Sequence, residues 1–271
     1  MSRDIEQERS RRDGVVREEN LPFLMEPRQP AKAGVVLVHG FTASPWEMRL
    51  FGEAAAEAGF TALGVRLPGH GTTPEDLAGR RYEEWLSTVE EGCRMLSARG
   101  LRIYGIGQST GGLLLLAAAG RLPISGLILL SPYLRLRHRL APAAGLVRFF
   151  RSYQRHFVPR ELAPFYYDRR PVNGVYQLYR LIRRVRNHLE RVTAPVLMIG
   201  AAGDRTIQVD SAYELFDALP GRRKECHFFG PEVPHILTTG ENPRLRQTLR
   251  LTFDFLRCLE NGNASAAEKD S

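Results

Sequence analysis

Cysteine is scarce in this chain of 271 residues, which contains only Cys93, Cys226 and Cys258. The number is odd, the spacings are wide, and no Cys-x-x-Cys pair occurs. We therefore expect neither a disulfide framework nor a cysteine-based zinc site, and a reducing compartment fits the composition. Isolated cysteines usually pack in a core, and none of these three follows a strand and opens a helix as a nucleophile would.

Long apolar runs are also absent. The longest, from Leu113 to Ala119, is far shorter than the ~20 residues that cross a bilayer. The N-terminal stretch MSRDIEQERSRRDG mixes acidic and basic residues without an apolar segment, so it does not resemble a signal peptide. We expect a soluble, cytoplasmic protein without a transmembrane segment.

Lysine is nearly missing, whereas arginine is abundant. The chain has three lysines, and 14 arginines fall between Pro132 and Arg191, where only three acidic residues occur. This segment carries a net charge of +11, so the rest carries −3 of the total of +8. Two interpretations stay open: the coding bias of a GC-rich genome, or an electropositive surface that attracts anionic substrates or lipid head groups at a membrane surface. No recognised nucleic-acid-binding motif accompanies the charge, so nucleic acid is not an expected partner.

Short apolar runs typical of buried strands alternate with helix-like segments along the chain. This alternation predicts an α/β fold with right-handed crossovers and a mainly parallel, doubly wound sheet. The predicted strands are 34–38, 60–65, 101–106, 126–130, 195–199 and 225–229, and the predicted helices are 45–58, 82–99, 109–121, 211–219 and 242–259.

The alternation breaks in the Arg-rich segment, where no strand is indicated. Because strands resume after it, the segment is predicted to be a helical lid inserted between two strands of one sheet. The predicted organisation is a mobile, charged lead-in (1–20), a core (21–131 and 192–260), the lid (132–191) and a flexible tail (261–271). Lid aromatics are candidates for lining a pocket or for packing the lid itself: Phe149, Phe150, Phe157, Phe165, Tyr166 and Tyr167.

The pentapeptide Gly107-Gln-Ser-Thr-Gly111 follows a predicted strand and opens a predicted helix. In this context a Gly-x-Ser-x-Gly pattern is typical of a nucleophile elbow, a turn so tight that the serine is strained and exposed at the top of the sheet. Residues two positions to either side must be small, which accounts for the two glycines. Ser109 is therefore the candidate nucleophile, and the alternative is a serine N-cap on an ordinary turn.

A serine hydroxyl needs a base beside it, and in this fold the acid and then the histidine follow the serine along the chain. Asp204 follows a predicted strand through Gly200-Ala-Ala-Gly203 and is the candidate acid; Asp210 is the alternative, although it is expected near a helix start. His235 is the only histidine beyond the last predicted strand, and it is the candidate base. The remaining histidines are expected to be structural or to lie elsewhere: His39, His70, His138, His156, His188 and His227.

A tetrahedral intermediate also needs fixed donors for its oxyanion. One is normally the backbone N–H of the residue after the nucleophile, which is Thr110. The other is expected from the loop His39-Gly-Phe-Thr42 after the first predicted strand, and we assign it to the N–H of Phe41. Side-chain substitutions would not delete either donor.

With these residues in hand, the chain resembles the bacterial carboxylesterase and monoacylglycerol lipase branch of the α/β-hydrolases from about residue 34 to 255. The closest stretches are the elbow, His39-Gly-Phe-Thr-Ala-Ser-Pro45, Arg66-Leu-Pro-Gly-His-Gly71 and Pro234-His-Ile-Leu-Thr238. The resemblance implies an α/β-hydrolase fold, a lid over an acyl pocket, medium-chain esters or monoacylglycerols as substrates, and no cofactor. Elbows of that branch often carry Leu or His before the serine and Met or Leu after it, whereas this chain has Gln108 and Thr110.

Other functions on the same scaffold stay open. The same three residues would serve lysophospholipid, thioester or amide cleavage and acyl transfer, and a non-catalytic ligand-binding member of the fold is a further alternative. A dinucleotide cofactor is not expected, because no Gly-x-Gly-x-x-Gly follows the first predicted strand. No cluster of His or carboxylate residues has metal-ligand spacing, so no metal is expected. The expected partner is a small acyl ester, neutral, anionic or lipid-like, and the oligomeric state is left open.

Overall fold

The computed structural model describes residues 3–137 and 152–267. Its main sheet contains the strands β1 (Phe23–Met25), β2 (Ala33–Val38), β3 (Thr61–Val65), β4 (Arg102–Gln108), β5 (Gly126–Leu130), β8 (Val196–Ala201) and β9 (Lys224–Phe229), and a small second sheet contains β6 (Tyr153–Arg155) and β7 (Arg169–Pro171). The order in the main sheet is β1-β3-β2-β4-β5-β8-β9, and every pair is parallel except β1 with β3. The predicted mainly parallel sheet is confirmed.

Helices cover both faces of this sheet. They are α1 (Arg3–Arg12), α2 (Arg49–Glu57), α3 (Pro74–Gly79), α4 (Tyr82–Ser97), α5 (Thr110–Ala119), α6 (Val172–Arg186), α7 (Asp210–Ala218) and α8 (Leu245–Ala267). Alternate residues of β2 point to the two faces of the sheet. Val36 and Val38 pack with α4, α5 and α6, whereas Val35 and Leu37 pack with α2 and α8. A strand buried on both faces is continuously apolar, which is why β2 was recognisable in the sequence.

The N-terminal residues are attached to the domain, which corrects the expectation of a mobile lead-in. Ser10 in α1 is buried, and Arg66 donates hydrogen bonds to Ser10 Oγ and to the carboxylate of Asp13. Asn20 is also buried and accepts a 2.7 Å hydrogen bond from Ser44 Oγ. The polar groups of the segment therefore find partners in the core instead of water.

The edge strand β1 was not predicted. Phe23 lies opposite Gly64 of β3, and a Cβ atom at Gly64 would be 2.2 Å from the Phe23 ring. The ring thus fills the space that a side chain at position 64 would take. Glycine inside a strand often marks such a close approach.

The lid departs from the helical prediction. It contains an antiparallel hairpin, in which Tyr153 pairs with Pro171 and Arg155 with Arg169, followed by α6. Two tyrosines in the connection between the two hairpin strands attach the lid to the core: Tyr166 donates to Glu47 Oε1 (2.8 Å), and the N–H of Tyr167 donates to the carbonyl of Thr42 (2.9 Å). Among the lid candidates, His138, Phe149 and Phe150 lie outside the described residues.

The C-terminal helix is longer than predicted. α8 continues to Ala267, past the point where a tail was expected to begin at residue 261. Among the described helices, none combines the length and the apolar composition that crossing a bilayer requires.

Candidate active site

The turn between β4 and α5 has the geometry of a strained elbow. Ser109 has φ +54°, a left-handed conformation that few residues other than glycine adopt. A Cβ at Gly107 would lie 2.4 Å from the backbone of Gly111, and a Cβ at Gly111 would lie 2.1 Å from the carbonyl oxygen of Val38. Both glycines are therefore required by close backbone contacts, as the pentapeptide predicts.

The structure brings the three candidate catalytic side chains together. Ser109 Oγ is 2.9 Å from Nε2 of His235, and Nδ1 of the same ring is 2.5 Å from Oδ2 of Asp204. Asp204 is 3% exposed, whereas the serine is 8% exposed and borders a cavity. A buried carboxylate at one ring nitrogen and a hydroxyl at the other is the arrangement that lets imidazole accept a proton from serine.

Asp204 is fixed by its own loop. Its Oδ1 atom accepts hydrogen bonds from the N–H groups of Thr206 (2.8 Å) and Ile207 (3.2 Å), which leaves Oδ2 for the histidine. Gly203 lets this loop approach the histidine loop, because a Cβ there would lie 2.1 Å from the carbonyl oxygen of Pro231. Asp210, the alternative acid, is the first residue of α7, as expected for a helix start.

The backbone carbonyl of His235 accepts two side-chain hydrogen bonds. Gln108 Nε2 donates to it at 2.9 Å, and Ser131 Oγ donates at 2.7 Å. Gln108 Oε1 in turn accepts the N–H of Leu237 at 3.3 Å. The departure from the usual elbow sequence at position 108 therefore has a structural consequence, since this side chain binds the loop that carries the histidine.

The two residues predicted to supply the oxyanion donors line the same cavity as the serine. Thr110 is the first residue of α5, where a backbone N–H has no intrahelical acceptor. Phe41 belongs to the loop after β2 and lines the same cavity as Ser109 and Thr110. Its ring packs against α6, because a Cβ at Gly174 would be 2.6 Å from the ring. The lid thus contacts the loop from which the second donor is expected.

A cavity of about 630 Å³ opens above these groups. This volume lies in the range of small-molecule sites. The walls come from the elbow, the Phe41 loop, the histidine loop and the lid, and the apolar lid contributions are Leu136, Phe157, Val158, Leu162, Val175 and Leu178. Of the lid aromatics that were candidates for pocket lining or for lid packing, Phe157 and Tyr166 line the cavity, whereas Phe165 stacks on Trp46 with ring centroids 4.0 Å apart.

A sequence model described as the alpha/beta hydrolase family matches residues 35–242, which is more than half of the chain. The chain belongs to the alpha/beta hydrolase family. A thermostable monoacylglycerol lipase of Bacillus sp. (strain H-257) is 32% identical over 196 residues, which cover 71% of this hydrolase and 78% of the relative. A carboxylesterase of Bacillus subtilis (strain 168) is 26% identical and covers 75% of this chain and 85% of its own.

Solved structures agree with this membership. A structure from work on LipS and LipT, two metagenome-derived lipolytic enzymes, superimposes on the hydrolase with a TM-score of 0.81 and 25% identity, over 89% of this chain and 99% of that one. A monoacylglycerol lipase of Paleococcus ferrophilus has a TM-score of 0.72 at 18% identity, over 88% of this chain and 98% of its own, and shows the shared fold alone.

Two further histidines of the hydrolase are structural, as expected. The ring of His39 is buried: its Nδ1 donates to the carbonyl of Gly40 (2.9 Å), and its Nε2 accepts the N–H of Leu67 (3.2 Å). Burial lowers the pKa of His39 to about 4, so the ring stays neutral and can accept. His70 is equally buried, and burial lowers its pKa as well.

Sequence reasoning missed a buried carboxyl group beside the site. Glu47 is 2% exposed; its Oε2 accepts the N–H of Gly40 at 2.6 Å, and its Oε1 accepts the hydroxyl of Tyr166. It therefore joins the lid to the loop that carries Phe41. Desolvation by burial raises the pKa of Glu47 to about 7 in spite of these two donors.

The raised pKa of Glu47 makes the stability of the hydrolase depend on pH. The folded state keeps this proton above the pH at which the unfolded chain releases it, so the free energy of unfolding falls as pH rises from about 4.5 to about 7. Glu47→Gln keeps the shape of the side chain but removes its ionisable group. The quantity to compare is the melting temperature of the variant minus that of the parent. We expect this difference to be on the order of 5 °C larger at pH 8 than at pH 5.

Thermal unfolding of both proteins at the two pH values measures this difference. Glu53→Gln, which alters an exposed carboxylate of α2, is the matched control and should shift melting equally at both pH values. An equal shift for Glu47→Gln at pH 5 and pH 8 would contradict the assignment.

Proposed function

We propose that this hydrolase cleaves carboxylic esters, with Ser109 as nucleophile, His235 as general base and Asp204 as the group that orients the imidazole. The observation that carries the proposal is the continuous contact from Asp204 through His235 to Ser109 at the floor of a cavity. The Bacillus relatives named monoacylglycerol lipase and carboxylesterase support the same reaction class.

In the first half of the reaction, Ser109 Oγ attacks the acyl carbon while its proton passes to Nε2 of His235. The negative charge that develops on the carbonyl oxygen is stabilised by the N–H groups of Phe41 and Thr110. The imidazolium then gives its proton to the departing alcohol, and an acyl-enzyme remains. Asp204 Oδ2, which accepts from Nδ1, stabilises the positive charge on the ring.

In the second half, water attacks the acyl-enzyme and His235 takes one of its protons. The same two N–H groups stabilise the second tetrahedral intermediate. When that intermediate collapses, Ser109 Oγ regains the proton from Nε2 and the carboxylic acid leaves.

The proposed substrates are medium-chain acyl esters or monoacylglycerols. The apolar lid residues on the cavity wall provide a surface that an acyl chain can bury, which favours longer acyl groups over acetate. The cavity volume sets an upper limit on that preference, because methylene groups beyond it remain in water.

A fluorophosphonate probe and a series of p-nitrophenyl esters test the proposal. The probe forms a covalent bond only with an activated hydroxyl, so we expect one adduct, on the peptide that contains Ser109. Across acetate, butyrate, octanoate and palmitate esters we expect kcat/KM to peak at butyrate or octanoate. An unlabelled Ser109 together with no hydrolysis of any ester would exclude this function and favour a ligand-binding member of the fold.

A further inference from the structure

Eleven arginines of the lid lie within the described residues. Four of them contact carboxylates: Arg135 with Glu214, Arg169 with Glu75 (3.2 Å), Arg180 with Glu83 (2.5 Å) and Arg191 with Glu190 (3.7 Å). Surface pairs of this kind are solvated and contribute little. Among the described lid arginines, only Arg170 lines the cavity.

Arg170 differs from these residues. It follows Arg169 on β7, and successive residues of a strand point to opposite sides, so its side chain lines the cavity together with Ser109 and His235. Within residues 3–137 and 152–267, no carboxylate forms an ion pair with it. Burial lowers its pKa, yet a guanidinium group stays charged at neutral pH.

The carboxylates that also border the cavity are Glu47, Glu232 and Glu241, and within the described residues none of them forms an ion pair with Arg170. Glu232 pairs with Arg244 at 3.3 Å. Burial and the nearby Glu161 raise the pKa of Glu241, and Glu47 accepts its hydrogen bonds from Gly40 and Tyr166. A half-buried cation without a counter-ion is unfavourable unless a ligand supplies the negative charge.

Further polar groups lie around the same cation. Gln154 and His156 of the neighbouring chain segment line the cavity beside Arg170, and in the described part of the chain Nδ1 of His156 is buried without a hydrogen-bond partner. Tyr133 also lines the cavity, and its hydroxyl is 3.1 Å from Oγ1 of Thr110.

We propose that Arg170, with His156 beside it, binds a negatively charged group of the substrate, so that the hydrolase prefers esters that carry a carboxylate or a phosphate over neutral esters of the same length. This preference rests on the proposed function. Arginine suits either anion, because its planar fork donates two parallel hydrogen bonds. The unpaired Nδ1 of His156 offers an additional contact at the same place.

Matched ester pairs test this assignment. Mono-p-nitrophenyl suberate carries a carboxylate at the end of its acyl chain, and p-nitrophenyl octanoate is its neutral counterpart. Octanoyl-glycerol phosphate and octanoylglycerol form a second pair, with the anion on the alcohol side. The ratio of kcat/KM for the charged ester to that for the neutral ester is measured for each pair at ~0.15 M salt, where long-range steering is screened.

The variants are Arg170→Gln, Arg170→Lys and the control Arg169→Gln, which removes a charge from the adjacent, surface-paired position. In Arg170→Gln we expect the ratio for one of the pairs to fall about 10- to 100-fold, while kcat/KM for the neutral ester changes little. Arg170→Lys should retain part of the preference, and Arg169→Gln all of it. The pair that responds identifies which side of the ester carries the anion.

Three outcomes would overturn the inference: unchanged ratios in Arg170→Gln, an equal loss for charged and neutral esters, or the same fall in Arg169→Gln. The first would leave the proposed function intact, because neutral esters would still be hydrolysed. An equal loss would make Arg170 a structural residue of the lid. A parent protein that hydrolyses neither member of either pair would instead count against ester hydrolysis itself.

Discussion

Replacement of Ser109 by Ala is expected to lower kcat/KM for a p-nitrophenyl ester by about 10⁴-fold or more, with nearly unchanged stability. Ser109 Oγ is the atom that His235 Nε2 contacts at 2.9 Å, and alanine offers no oxygen to attack the acyl carbon. Without it no acyl-enzyme forms, so only substrate binding and the oxyanion donors remain. Alanine adds no atom, so the elbow keeps its backbone.

Steady-state kinetics and thermal unfolding of the purified variant measure this effect. Ser125→Ala is the matched control, because Ser125 lies just before β5, at the end of the sheet away from the cavity, and should retain the parent rate. Hydrolysis by Ser109→Ala at the parent rate, with the fold intact, would show that another group is the nucleophile.

Replacement of Asp204 by Asn is expected to lower kcat by about 10³- to 10⁴-fold. The backbone N–H groups of Thr206 and Ile207 point at Oδ1, so the amide oxygen of the variant must remain there. Its NH₂ group then faces Nδ1 of His235, which has to accept rather than donate. The ring proton moves to Nε2, where it prevents the imidazole from taking the proton of Ser109.

Asp210→Asn is the control for this prediction. It removes the same charge six residues further along, at the exposed start of α7, and should leave kcat within about twofold of the parent because surface charges contribute little. Comparable kcat values for the two variants, or a greater loss in Asp210→Asn, would reassign the acid.

The parallel core was predictable because its signals are local. Buried strands such as β2 are continuous apolar runs, and the helices between them repeat their apolar residues every three or four positions. The elbow was also recognisable, since two glycines, a serine and a strand-to-helix change coincide within five residues. The positions of Asp204 and His235 then followed from chain order and from the rule that sites lie at the carboxyl ends of parallel strands.

The missed elements depend on partners distant in the chain. β1 and β7 are three residues long, too short to display a period, and Arg169-Arg-Pro171 contains no β-branched or aromatic residue. Glu47 lies in an apparently amphipathic segment, where a glutamate is expected to face water. Its burial requires Tyr166, which is 119 residues further along the chain.

The hydrogen bonds of Gln108 have a consequence for how such enzymes diverge or are recombined. Gln108, the residue before the nucleophile, is hydrogen-bonded to the loop that carries the base. It contacts the carbonyl of His235 and the N–H of Leu237. An apolar residue grafted at position 108 from a related elbow would leave the N–H of Leu237 without its acceptor and the carbonyl of His235 with Ser131 Oγ as its remaining donor. In a chimaera, the elbow and the histidine loop therefore have to be inherited from the same parent.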